Sequence, residues 1–356
     1  MKQFSSSFVA VLMGSTVVVA TGCGGPAESS DVALEVTDTT AAALADCQIN
    51  PDGTAFCAET ASPVISNRRV FYRIGANTGP GYDAATGRHA AVVLFQGTSP
   101  DGVGTDNGTG GSNGPGATWS VPLTKPGAFG GWYQVATVVA LVNAGYTVIQ
   151  AAARYQCIVP PSIGCGYFWD SNIGNRWNNF LGKDKALVTA LVAQIQPGKT
   201  TFGPININAV YATGISSGGY MSSRMANEFA GGINGNSTVK STSKPFRAVA
   251  IESASYQNCA DPCSPPELPT NHPPTFFLHD PADPVVPFST MQSYLDRLNT
   301  QFPNGNPVYT VNGVKEEFVR LDQFTGDAPP SPGHQWSSEL TADSSNLILQ
   351  WFSSHR

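Results

Sequence analysis

Chemistry is concentrated in one short stretch, Gly214-Ile-Ser216-Ser-Gly218, within residues 211–220. A serine with a glycine two positions to either side fits a sharp strand-to-helix turn that lifts the hydroxyl above the carboxyl edge of a sheet. The flanks agree with that reading. Ala209 to Thr213 is short, apolar and partly β-branched, as a buried parallel strand should be. Met221, Met225 and Phe229 then recur at helical spacing. A serine presented this way is a candidate nucleophile, and such a serine needs a base, an acid to orient that base, and backbone donors for the oxyanion.

The five histidines can be weighed as that base one by one. His355 is expected to fray at the terminus, and His89 precedes a strand at the amino edge of the sheet. His272 lies in a Pro-rich loop. His279 ends a strand in the segment Leu-His-Asp-Pro-Ala-Asp283-Pro-Val-Val-Pro, and His334 lies in Pro-Gly-His-Gln-Trp336, just before a terminal helix. Ser216, Asp283 and His334 follow the order Ser, Asp, His that α/β-hydrolases use. His279 ranks second as base, and Asp280 is the alternative acid.

Together, Gly-Ile-Ser-Ser-Gly-Gly-Tyr-Met, Leu-His-x3-Asp-x-Val-Val-Pro and the late Gly-His-x-Trp are similar to secreted esterases of the poly(3-hydroxybutyrate) depolymerase and feruloyl esterase group. The resemblance spans roughly residues 65 to 355. It implies an α/β-hydrolase fold with a mostly parallel central sheet, Ser216 as nucleophile, Asp283 as acid and His334 as base. It implies an oxyanion hole from the backbone N–H groups of Thr98 and Ser217. Two positions depart from the group: Gln96 precedes Gly97 where a histidine is usual, and Asp280 replaces a glycine after His279. The implied chemistry is a two-step acyl transfer on an ester, small or polymeric, with no cofactor. Trp132, Tyr133, Trp169, Tyr220 and Trp336 are candidates to line a pocket. A serine peptidase on the same fold, or a lipid-anchored binding protein without catalysis, are the other readings left open.

These residues need elements to position them. Strands are expected at 70–74, 90–95, 146–149, 209–213, 248–251, 275–278 and 318–321, and helices at 132–143, 184–195, after Ser216, at 291–298 and around 347–352. Residues 157–177 read as an aromatic excursion rich in Gly and Pro. Alternation of strand and helix argues for helices on both faces of one sheet.

The amino-terminal region reads differently. Phe8 to Ala20 is too short to span a membrane and resembles the apolar part of a signal peptide. Ala-Thr-Gly-Cys23 resembles a bacterial lipobox, with Cys23 as the lipidated residue. The expected organisation is a signal peptide at 1–22, a flexible tether at 23–46 and one catalytic domain at 47–356. Localisation would be that of an outer-membrane or cell-surface lipoprotein, or otherwise of a secreted enzyme. The remaining six cysteines form three local couples: Cys47 with Cys57, Cys157 with Cys165 and Cys259 with Cys263. Six cysteines allow fifteen pairings, and proximity favours these three disulfides. No zinc-type spacing accompanies them. A net charge of −6 without any Lys/Arg cluster argues against nucleic acid as a partner. The glycine-rich run 101–116 lacks both a phosphate-binding lysine and the spacing of a calcium loop.

Overall fold

A computed structural model describes residues 47–49, 55–57, 60–98, 134–151, 153–158, 164–170, 183–231, 244–256, 267–302, 316–320 and 343–356. The chain divides into Met1–Thr39 and Thr40–Arg356, and all of these residues lie in the second unit. In chain order the elements are β1 (Cys47–Ile49), β2 (Ala55–Cys57), β3 (Val64–Ile65), β4 (Arg68–Arg73), β5 (Tyr82–Asp83), β6 (Arg88–Phe95), α1 (Gln134–Asn143), β7 (Thr147–Ala151), β8 (Arg154–Ile158) and β9 (Gly164–Phe168). They continue with α2 (Lys183–Gln194), β10 (Ile205–Ile215), α3 (Ser217–Glu228), β11 (Phe246–Glu252), β12 (Thr275–His279), α4 (Phe288–Gln301), β13 (Glu316–Arg320) and α5 (Leu347–Ser354).

The main sheet runs β13-β12-β11-β10-β6-β7-β4-β3, with β5 paired to β6 as its ninth strand among the described residues. From β13 to β7 every neighbour is parallel; β4, β3 and β5 pair antiparallel. Strand alternation sorts side chains to two faces. Ala91, Val93 and Phe95 of β6 join one core with Leu187, Met221 and Met291 from α2, α3 and α4. Ala90, Val92 and Leu94 join a second core with Val138 and Val142 of α1 and Trp351 and Phe352 of α5. Each of the larger aliphatic and Phe side chains here, fully buried, contributes roughly 1.5–3 kcal/mol of apolar transfer, and the alanines less. The result is a three-layer α/β-hydrolase fold with one continuous sheet between two helical layers.

The C-terminal helix is clasped to this sheet by polar contacts as well as by packing. Trp351 Nε1 donates to the Val249 carbonyl at 3.0 Å, and Tyr211 stacks on Phe352 with its hydroxyl on the His355 carbonyl at 3.2 Å. His355 therefore does not fray as its position suggested. It is buried, with its ring 3.8 Å from that of Trp351. The first part of the segment read as an aromatic excursion belongs to a regular hairpin, β8 with β9, that starts ahead of it at Arg154. Of the expected 132–143 helix the described residues form Gln134–Asn143, with 132 and 133 outside them, and the strand expected at 209–213 is longer, starting at Ile205. Of the described helices, none is long and apolar enough to cross a membrane.

Candidate active site

β10 delivers Ser216 to the carboxyl edge of the sheet in a backbone conformation that side chains seldom adopt, φ 53° and ψ −122°. Its N–H donates to the Glu252 carbonyl at 3.0 Å, and its carbonyl accepts from the Tyr220 N–H at 3.0 Å. The first contact ties the turn to β11 and the second starts α3. The turn also needs glycine beside it. A Cβ on Gly218 would lie 2.1 Å from the Phe95 carbonyl oxygen and 2.4 Å from that of Gln96. One on Gly214 would meet the same Phe95 oxygen at 2.4 Å. The glycines therefore let the end of β6 press against the serine turn. Gly97 follows at once, and a Cβ there would sit 3.7 Å from Ser216 Cβ. Ser217 opens α3, where backbone N–H groups point out of the helix and the dipole favours negative charge.

The turn after β12 is built around a carboxylate. Asp283 is buried, and its Oδ1 accepts from the N–H groups of Val285 and Val286, both at 2.8 Å. Its Oδ2 lies 3.3 Å from His279 Nε2, which also donates to the Val286 carbonyl at 2.9 Å. Backbone donors of this kind favour the ionised form. Asp280 is used differently: its Oδ1 accepts from the Ala282 N–H at 2.7 Å, closing a local turn, and its carbonyl takes the Asp283 N–H at 3.0 Å. Tyr220 links the two halves. Burial, and after it the negative charge of Asp283, push its phenol well above the ordinary tyrosine range. The acid turn thus lies within electrostatic reach of the helix that begins beside Ser216.

Four histidines lie among the described residues, and of these His279 touches Asp283. His89 Nδ1 contacts the Gly145 carbonyl at 2.9 Å, and burial lowers its pKa. His272 Nε2 contacts the Tyr294 hydroxyl at 2.6 Å. His279 is fully buried with Nε2 occupied as described. His355 Nδ1 contacts the Trp351 carbonyl at 2.7 Å. His334 lies outside the described residues, as do Trp336, Trp132, Tyr133, Cys23, Cys259 and Cys263. Thr98 is exposed at the end of the run that follows β6.

Trp169, one of the pocket candidates, sits in the core of the described residues. It is fully buried, packed edge-on against Phe95 at 5.4 Å, and donates its indole N–H to the Gln96 carbonyl at 3.0 Å. Tyr220, also a pocket candidate, is buried in the first turn of the elbow helix. Behind Trp169 lies an ionic cluster that sequence reading passed over. Asp184 accepts from Arg68 and from the Asp170 N–H, and Arg154 donates to Asp170 at 3.0 Å. Burial and then the charge of Asp184 raise the pKa of Asp170. Asp184 carried a sequence signal only as an acidic residue in the first turn of α2, where the helix dipole is reason enough for it. Among the described residues no group of three or more His, Cys, Asp or Glu could hold a metal ion.

Comparison with known proteins adds a relative to this geometry. Over 297 residues, 83% of this chain and 82% of the other, it is 32% identical to a poly(3-hydroxyoctanoate) depolymerase of Pseudomonas fluorescens. The chain belongs to the depolymerase family of α/β-hydrolase esterases. That membership makes the chain a carboxylic-ester hydrolase. No protein-family model matches the chain. Among solved structures it is similar to a thermostable esterase (TM-score 0.41, 17% identity, 83% of this chain and 62% of that one). It is also similar to esterase 2 of the planctomycete Thermogutta terrifontis with butyrate bound (TM-score 0.41, 14% identity, 82% and 90% covered). At that distance these structures add nothing to the assignment, which rests on the depolymerase relative and the sheet.

Proposed function

We propose that this depolymerase-family chain is an exported serine esterase acting through Ser216, His334 and Asp283. The observation that carries the reading is the strained Ser216 turn, with the buried Asp283 carboxylate held in the turn after β12, two strands away in the same sheet. His334 enters as base from its place in the Ser, Asp, His chain order, in the stretch after the last strand, with His279 second because its Nε2 lies 3.3 Å from Asp283. His334 takes the proton of Ser216 as Oγ attacks the ester carbonyl, and returns it to the departing alkoxide. Asp283 holds the imidazole tautomer, and the N–H groups of Ser217 and Thr98 receive the negative oxygen. Water, activated by the same base, then cleaves the acyl-enzyme and releases the acid. Identity to a poly(3-hydroxyoctanoate) depolymerase supports a polyester or oligoester of 3-hydroxy acids as substrate class, ahead of feruloyl or acetyl esters.

The test is direct. Ser216→Ala and His334→Ala should each lower kcat on a p-nitrophenyl ester by roughly 10⁴–10⁶-fold, and the double variant should be scarcely worse than either. Asp283→Asn should cost somewhat less, since nucleophile and base remain. Substantial activity in folded His334→Ala, with none in His279→Ala, would move the base to His279. For the anchor, Cys23→Ser should abolish membrane association and palmitate labelling. Unchanged fractionation would leave a plainly secreted enzyme.

A further inference from the structure

At the end of β6 two consecutive carbonyls accept hydrogen bonds from side chains. Trp169 donates its indole N–H to the carbonyl of Gln96 at 3.0 Å. Gln96, itself fully buried, sends its amide Nε2 to the carbonyl of Gly97 at a longer 3.4 Å. A peptide group is planar and trans, so each carbonyl and the N–H that follows it point in opposite directions. Turning the Gln96 carbonyl to Trp169 therefore aims the Gly97 N–H the other way. Turning the Gly97 carbonyl to the Gln96 amide aims the Thr98 N–H the other way. Both peptides adjoin Gly97, which packs against Ser216.

We propose that Trp169 and Gln96 are positioning residues that lock the two peptides on either side of Gly97, and so fix the direction of the Thr98 N–H before substrate arrives. The proposal rests on the oxyanion hole assigned above to Thr98 and Ser217. The indole that does the holding is itself immobilised. Phe95 packs edge-on against it, and the Arg68 guanidinium lies 5.9 Å from its ring centre. Arg68 is held by Asp184, which also takes the N–H of Asp170, the residue directly after Trp169. On its other side the Gln96 carbonyl is pressed against Gly218, where a Cβ would come within 2.4 Å. The buried ionic cluster thus braces the indole, the indole fixes the carbonyl, and the carbonyl fixes the peptide.

Gln96 also carries a cost that packing does not explain. Among the described residues its Oε1 is buried and meets no hydrogen-bond partner, an unfavourable state that leucine in the same space would avoid. A residue retained for the N–H on its other amide atom accounts for this. Preorganised donors are worth most when they need no reorientation during reaction.

Two variants test the lock: Trp169→Phe, which keeps an aromatic ring without the N–H, and Gln96→Leu, which removes the amide at similar volume. Each should lower kcat on a soluble p-nitrophenyl ester by about 10–100-fold while KM stays within about twofold. The inhibition constant of a trifluoromethyl ketone, which forms a tetrahedral oxyanion on the serine, should rise by the same factor as kcat/KM falls. Gln96→Leu should melt at the same or a higher temperature, an outcome that a merely structural role would not give. Should Trp169→Phe fail to fold, Gln96→Leu decides alone. A kcat within twofold of the parent, or a fall in kcat that follows a fall in melting temperature with KM rising, would overturn the lock. Ser216→Ala in parallel keeps the two readings apart: activity surviving there removes the triad itself, whereas its loss with an undisturbed Gln96→Leu removes only the lock.

Discussion

His272 packs edge-on against Tyr294, ring centroids 5.8 Å apart, with no exposed surface. Its Nδ1 contacts the Pro273 carbonyl at 2.9 Å and so carries the proton, leaving Nε2 to accept from the Tyr294 hydroxyl. Desolvation dominates, and its pKa is pushed down to about 3 from 6.5. The sign follows: between those values the unfolded chain binds a proton that the folded chain refuses, so stability falls as pH drops. Above 6.5 both states are neutral and the full stability is present; it is lost progressively towards pH 3. Unfolding in urea at a series of pH values should show a midpoint that declines through this window. His272→Gln should flatten the decline, and an unchanged slope would mean that other groups set acid stability.

At the scale of elements, the hairpins bring two of the cysteine couples to facing positions. The register pairs Cys47 with Cys57 across β1 and β2, and Cys157 with Cys165 across β8 and β9. Bridges at these positions are the expected outcome of peptide mass mapping without reduction, each stabilising by roughly 2–3 kcal/mol in the chain-entropy model. Free thiols at either couple would remove that contribution. These same hairpins show what the sequence concealed. Strands such as β6 and β11 were legible because buried parallel strands are runs of Val, Ala, Ile and Phe. The β9 segment Gly164-Cys-Gly-Tyr-Phe168 has no such run, since glycines alternate with its larger residues. Its pairing depends on a partner strand that local composition does not announce. The elbow was legible for the opposite reason, because strand, Gly-x-Ser-x-Gly and helix are contiguous. The Asp283 carboxylate was likewise marked by the short segment around it. The role of Trp169 was hidden, because its partner Gln96 is 73 residues away and contributes only a backbone carbonyl. His355 was misjudged from its nearness to the terminus, although Trp351 one helical turn earlier packs against its ring.

The whole molecule draws its site from distant stretches of chain. Gly97 follows β6, Ser216 follows β10 and Asp283 follows β12, with β11 lying between the last two strands in the sheet. The pairings involved are parallel and non-local, β6 with β10 among them, and such contacts form late because long loops must close first. Activity is therefore a property of the finished sheet and of no fragment of it. On dilution from denaturant, far-UV ellipticity should return ahead of esterase turnover, and turnover should rise together with burial of the core tryptophans. Activity appearing before that burial would mean that a partial sheet suffices. For a chain proposed to leave the cell, the strand order also acts as a delay: an esterase in transit, still unfolded, carries no working nucleophile to the esters it passes.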